Sequence, residues 1–180
     1  MATTTETRIR AGLSAATATG AAAREAAGAA ATGADVDLAL VFLSPDHLDA
    51  VDEAVEAVRE VLSPAALVGC VADGVVAGTR EVEEGPALAV WAATLPGATV
   101  EGFHAAAVDV GDAIAITGFP DVDDADVVLL AVDPYSFPAG AFLDGLNEEH
   151  PGLPIVGGVA VAGPGPGSAA LILDDEVLTE

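Results

Sequence analysis

The chain has 180 residues, no lysine, five arginines and 29 acidic side chains, for a formal net charge of −24. That length suits one domain, or two small halves sharing a core. So much negative charge repels phosphates and argues against nucleic acid and anionic membranes as partners, while no apolar run approaches the ~18 to 20 residues that cross a bilayer.

Either a salt-rich cytoplasm or a GC-rich genome that replaces lysine produces such a balance, and composition does not separate the two. The single cysteine, Cys70, has no partner for an internal disulfide, so a reducing, cytoplasmic setting is expected. The start, "TRIRAGLSAATATGAAAREAAG", has arginines followed by small residues but lacks the apolar centre of a signal peptide. It reads as an alanine-rich helix over residues 6 to 31, within an N-terminal segment 1–33 packed on the domain by its small face; Gly20 and Gly28 weaken it.

Residues 36 to 43, "VDLALVFL", form a strand. In the next segment Leu48, Val51, Val55, Val58 and Leu62 recur at spacings of three and four, with acids between, as in an amphipathic helix. Ser44 is placed to cap it and Pro45 suits its first position. "AALVGCVA" is the following strand and residues 86 to 93 the one after, with 98 to 108 expected beside the latter as an antiparallel neighbour across "LPGA".

After the acidic connector "DVDDAD" the pattern returns: strand "VVLLAV", turn and helix "DPYSFPAGAFLDGLNEEHPG", strand "PIVGGVA", a Gly/Pro turn and strand "SAALIL". Pro45 to Gly69 spans 24 residues and Pro134 to Gly157 spans 23, which reads as an internal duplication over about 36–108 and 126–176. Each unit is strand, helix, strand, glycine turn, strand. A strand–helix–strand order favours a parallel pair and the following hairpin adds antiparallel strands, so the expected fold is α/β (α+β), a mixed sheet with helices packed on it.

Arg80 stands apart from the other cations: Arg8, Arg10 and Arg24 fall in the N-terminal helix and Arg59 on the polar side of the second helix. A guanidinium fork holds a ligand carboxylate by two parallel hydrogen bonds; a salt bridge to Glu81, Glu83 or Glu84 is the alternative. The same acids, Glu81 and Glu83 on one strand face and Glu84 on the other, suit a ligand ammonium. Gly69, Gly74, Gly157 and Gly158 sit at or just after strand ends, where a backbone turns or approaches a ligand closely. Their spacing matches neither a dinucleotide fingerprint nor a P-loop, and no cofactor or metal is implied.

Cys70 is either a buried small hydrophobe or, with a base beside it, a nucleophile; His47, His104 and His150 are scattered. Asp133, Tyr135 and Ser136 occupy a strand-end turn of the kind that meets ligands in open α/β sheets.

"VGCVADGVVAGTREVEEGPALAVWAATLPG" and "DPYSFPAGAFLDGLNEEHPGLPIVGGVA" resemble the N-terminal FIST domain, named for F-box and intracellular signal transduction proteins. The resemblance covers residues 34 to 176, within a sensory domain taken as 34–180. It implies a cytoplasmic sensory domain that binds small ligands such as amino acids and passes the signal to a partner or output domain. Family members usually carry a C-terminal FIST domain as well; the chain stops at Glu180, as a fragment or a stand-alone version.

The expected function is therefore small-ligand sensing, with Arg80 anchoring a carboxylate near the glycine turns. The competing expectations are a scaffold that docks a C-terminal FIST or output domain through a sheet edge, and a hydrolase-type enzyme using Cys70.

Overall fold

The computed structural model describes residues 6–163, 165 and 168–178. In chain order the first elements are β1 (Arg8–Ser14), α1 (Thr19–Ala30), β2 (Leu38–Leu43), α2 (Val51–Leu62), β3 (Ala66–Val71), β4 (Val75–Ala77), β5 (Arg80–Val82) and β6 (Leu88–Thr94). There follow β7 (Ala106–Asp109), β8 (Ile114–Thr117), β9 (Val128–Val132), α3 (Ala139–Glu149), β10 (Ile155–Val159), β11 (Leu171–Leu173) and β12 (Glu176–Leu178). The fold is mixed α/β, as the strand and helix pattern predicts.

A six-stranded mixed sheet in the order β1-β6-β2-β3-β11-β12 forms the centre of the first lobe. β2 and β3 run parallel, joined through α2, and β6 lies antiparallel on the other edge of β2. The apolar stripe of α2 buries Val51, Val55, Val58 and Leu62 against Val41, Leu43, Leu67 and Val71 of the sheet. Beside it the apolar packing face of α1 is made of alanines, with Ala22, Ala23, Ala26, Ala27 and Ala30 all fully buried and Thr19 buried at its start. Small side chains let the helix backbone come close, and Gly12 completes the fit, since a Cβ there would lie 2.1 Å from the Ala26 carbonyl oxygen.

Three expectations change. Residues 8–14 are a strand rather than the first turns of a helix, because they pair in full register with β6 from Arg8 opposite Thr94 to Ser14 opposite Leu88. Pairing on a sheet edge overrides the helix preference of an Ala-rich segment. Residues 98–108 do not pair with β6, whose two edges are taken by β1 and β2; β7 pairs instead with β8. Pro45 opens a 3-10 turn over Pro45–Ala50 ahead of α2, and the Ser44 side chain does not cap it. Its hydroxyl instead accepts the Ala87 N–H at 2.9 Å and ties the end of β2 to the start of β6.

The face of the sheet away from α1 and α2 is covered in two parts. The β4–β5 hairpin lies over one end, burying Val75 with Ala87 and Ala89. A second lobe, residues 97–160, lies over the other. It holds the β7–β8 hairpin and a parallel pair, β9 and β10, bridged by α3. Its buried cluster is small: Val122, Val128 and Leu146, backed by partly buried side chains that include Phe103, Phe119 and Phe142.

The two strand–helix–strand units match in one detail. Gly69 stands opposite Val41, four residues before Pro45, and Gly157 stands opposite Leu130, four residues before Pro134. A Cβ at Gly69 would lie 2.1 Å from the Val41 carbonyl oxygen, and one at Gly157 would lie 1.8 Å from that of Leu130. Any side chain at either position collides with its parallel neighbour.

Candidate functional site

A cavity of about 840 Å³ separates the second lobe from the exposed face of the six-stranded sheet. That volume is in the range of small-molecule pockets. Leu38, Val68 and Leu171 line it from the sheet, β9 lines it along its whole length, and Phe103, Phe137 and Phe142 supply its aromatic surface. The rings form an edge-to-face series, Phe103 to Phe119 at 5.3 Å, Phe119 to Phe142 at 5.1 Å and Phe142 to Phe137 at 5.1 Å between centroids. This geometry suits aromatic quadrupoles and fixes the cavity wall.

The polar part of the lining is acidic. Asp133, Asp121, Asp124 and Asp126 contribute carboxylates, Ser136 a hydroxyl and His104 an imidazole, while no arginine is present. Asp133 is the buried member. It ends β9 and organises the turn into α3: its Oδ1 accepts the Tyr135 N–H at 3.1 Å and its Oδ2 accepts the Ser136 hydroxyl at 2.7 Å. Each carboxylate oxygen keeps a further lone pair for a ligand donor. A carboxylate held this way inside an apolar cavity suits a cationic group far better than an anion.

Of the residues singled out in the sequence, Gly69, Asp133 and Ser136 meet at this cavity. Tyr135 is exposed beside it, its hydroxyl donating to the Gly163 carbonyl at 3.3 Å. Gly157 and Gly158 lie in β10 next to Val156, which lines the cavity. Arg80, Glu81, Glu83, Glu84 and Gly74 belong to the exposed β4–β5 hairpin and its flanks, outside the lining. The salt bridge weighed for Arg80 does not form: among the described residues the arginine ion pairs are those of Arg24 with Glu60 and of Arg59 with Asp174 and Asp175.

Cys70 is buried with Ala160 and Ala169, and burial pushes its thiol up to about 11. That is the opposite of what a thiolate nucleophile at neutral pH requires. The cysteine therefore acts as a small packing residue against Phe42 and Leu171.

Sequence reading placed Phe137 only as a core residue at the helix entry and did not single out Phe103, Phe119 or Phe142. Their signal was compositional: of the five phenylalanines, Phe103, Phe119, Phe137 and Phe142 fall in one segment and only Phe42 elsewhere. His47, weighed in the sequence only as one of the scattered bases for Cys70, is 1% exposed and joined at Nδ1 to the Thr19 hydroxyl at 2.9 Å. Its Nε2 has no partner among the described residues. Burial pushes its pKa below the ordinary value, against a smaller opposing pull from Asp46.

Among the described residues no helix is long and apolar enough to cross a membrane. Comparison with known proteins bears on the family. An uncharacterized protein of Mycobacterium tuberculosis is 42% identical over 176 residues, covering 96% of this chain and 45% of its own length. One of Mycobacterium bovis is 38% identical over 165 residues, covering 87% of this chain and 42% of its own. The chain thus spans less than half the length of these curated relatives. No solved structure matches it. The FIST N domain matches residues 37–180, which takes in every element from β2 to β12, and the chain belongs to that family.

Proposed function

We propose that this FIST N domain is a small-ligand sensor whose ligand occupies the cavity between the two lobes. The observation that carries the reading is the cavity itself: about 840 Å³, apolar and aromatic in its walls, with the buried Asp133 carboxylate at its edge. The ligand class it fits is a small amine with an apolar body, amino acids included, with the ammonium on Asp133 and the apolar part against Phe137 and Phe142. Arg80 lies outside this lining, and the Ser136 hydroxyl is already given to Asp133, so the carboxylate of an amino acid would face His104. Because the walls come from both lobes, a ligand that bridges them favours one relative placement of the lobes over others, which is what a signal requires. Association of the family with signal transduction agrees with such a role, and a cytoplasmic setting is the one this reading expects.

Thermal unfolding in the presence of amino acids, simple amines and small carboxylates tests this. A ligand at about 100 times its dissociation constant stabilises by ~2.7 kcal/mol and moves the midpoint by a few degrees. The reading predicts such a shift for amine-bearing compounds and its loss in Asp133→Asn, which keeps the turn but removes the charge. A shift with carboxylates that disappears in Arg80→Ala and persists in Asp133→Asn would place the ligand on the β4–β5 hairpin instead. No shift with any compound would remove the sensor reading for this domain.

A further inference from the structure

The parallel pair β9 and β10 is an unfinished sheet. In the first lobe the corresponding pair, β2 and β3, is flanked on both edges, by β6 beside β2 and by β11 beside β3. In the second lobe neither edge is paired among the described residues. Parallel sheets are normally covered on both faces and rarely stop at two strands. An open edge is also a row of unpaired N–H and C=O groups that templates a further strand.

The register of the pair shows which groups are free. The Val128 N–H donates to the Pro154 carbonyl and the Ala160 N–H to the Val132 carbonyl, with Leu130 opposite Gly157 between them. In a parallel ladder alternate residues of one strand serve one neighbour, so Val128, Leu130 and Val132 serve β10 and the N–H and C=O groups of Leu129 and Ala131 face the open edge. In the first lobe the residues in the same places, counted back from the following proline, are Leu40 and Phe42, and they stand opposite Trp91 and Ala89 of β6. The end of the edge agrees. Ser44, just before Pro45, exchanges hydrogen bonds with Ala87 at the entry of β6, its N–H to the Ala87 carbonyl at 2.8 Å and its hydroxyl from the Ala87 N–H at 2.9 Å. Asp133, just before Pro134, bonds among the described residues only within its own turn. Exposed apolar side chains gather in this lobe as well, including Val108, Ile114, Val127, Val156 and Val159.

We infer that the outer edge of β9 is a docking site for one antiparallel β-strand, standing where β6 stands beside β2, and that the strand comes from the additional chain carried by the longer members of the family. The matched relatives are more than twice the length of the matched region, since it covers 45% and 42% of them. The occupant needs an apolar residue on each face, as β6 has with Val90 and Trp91 beside β2, because β9 is apolar throughout. β9 also lines the cavity along its whole length, so a strand on this edge would stand beside the ligand assigned there, but the exchange experiment is read without any ligand.

Amide hydrogen exchange decides it, measured on this chain and on the full-length Mycobacterium tuberculosis relative. The inference predicts fast exchange at Leu129 and Ala131 in this chain. The aligned amides of the full-length relative should exchange at least ~100-fold more slowly, as expected for hydrogen-bonded strand positions. A proline placed in the relative at the position of Ala131 removes an N–H on the outer edge only, so β9 and β10 still pair. It should restore fast exchange at the position of Leu129 while the β9–β10 amides stay protected. Equal, fast exchange in both proteins would overturn the inference. So would protection in this chain that grows with its concentration, since a second copy would then hold the edge.

Discussion

The two lobes are built from the same succession of strand, helix and strand, yet they differ in how completely each is closed. In the first, β2 and β3 sit inside a six-stranded sheet and both helices bury a face on it. In the second, β9 and β10 stand alone, Leu146 is the buried residue of α3, and the core is a small cluster extended by phenylalanines. The contrast teaches where stability and function divide. A densely packed lobe supplies a fixed wall, and a thinly packed one supplies a wall that can respond, since regions with few buried apolar contacts open at lower free energy than the whole.

The largest effect is expected from the matched glycines. Gly69→Ala forces a Cβ onto a backbone oxygen that cannot move without displacing β2, and should cost ~3 kcal/mol or more, the upper end for overpacking. Gly157→Ala makes the equivalent collision in the thin lobe, and should disorder β9 and β10 while leaving the first lobe folded. Chemical denaturation of the first variant and heteronuclear NMR of the second check the pair; equal global loss in both would erase the distinction between lobes. Next comes truncation of the cores: Leu67→Ala, at a fully buried site, should cost ~3 to 4 kcal/mol, and Leu146→Ala nearer ~2 kcal/mol.

A smaller, pH-dependent effect belongs to His47. Its folded pKa lies below the ordinary 6.5 because burial opposes the charge. The unfolded chain therefore takes up the proton first, so the contribution is fully present above pH 6.5 and is lost as the pH falls below it. Urea midpoints measured downward from neutral pH should decline, and His47→Gln should flatten that decline. The smallest effect is expected at Arg80: with no ion pair formed among the described residues, Arg80→Ala should change stability by less than ~0.5 kcal/mol.

Much of the fold was legible because local pattern and tertiary role agree. The three-and-four spacing of Val51, Val55, Val58 and Leu62 marks a face that is in fact buried, and the glycines aligned between the two units occupy matching places. β1 was not legible. "RIRAGLS" has no apolar alternation strong enough to announce a strand, and what makes it one is an edge of β6 supplied from about eighty residues away. The pairing of β7 failed for the same reason: which strands neighbour β6 is decided by β1 and β2, not by the turn at "LPGA". As for the site, Asp133 and Ser136 were visible as a strand-end turn, but the cavity is assembled from separate segments of both lobes, so no local motif encodes it. Arg80 drew attention through its rarity as a cation, a property of composition that does not say which surface it meets.

The unequal closure of the two lobes is tested most directly by urea unfolding followed at two side chains, Trp91 in β6 and Tyr135 at the end of β9, the only tryptophan and the only tyrosine of the chain. Fluorinated at both, the protein reports each lobe by its own resonance. The account predicts that the tyrosine signal changes at lower urea than the tryptophan signal, with the first lobe still folded between the two transitions. Coincident transitions, the mark of a single cooperative unit, would contradict it.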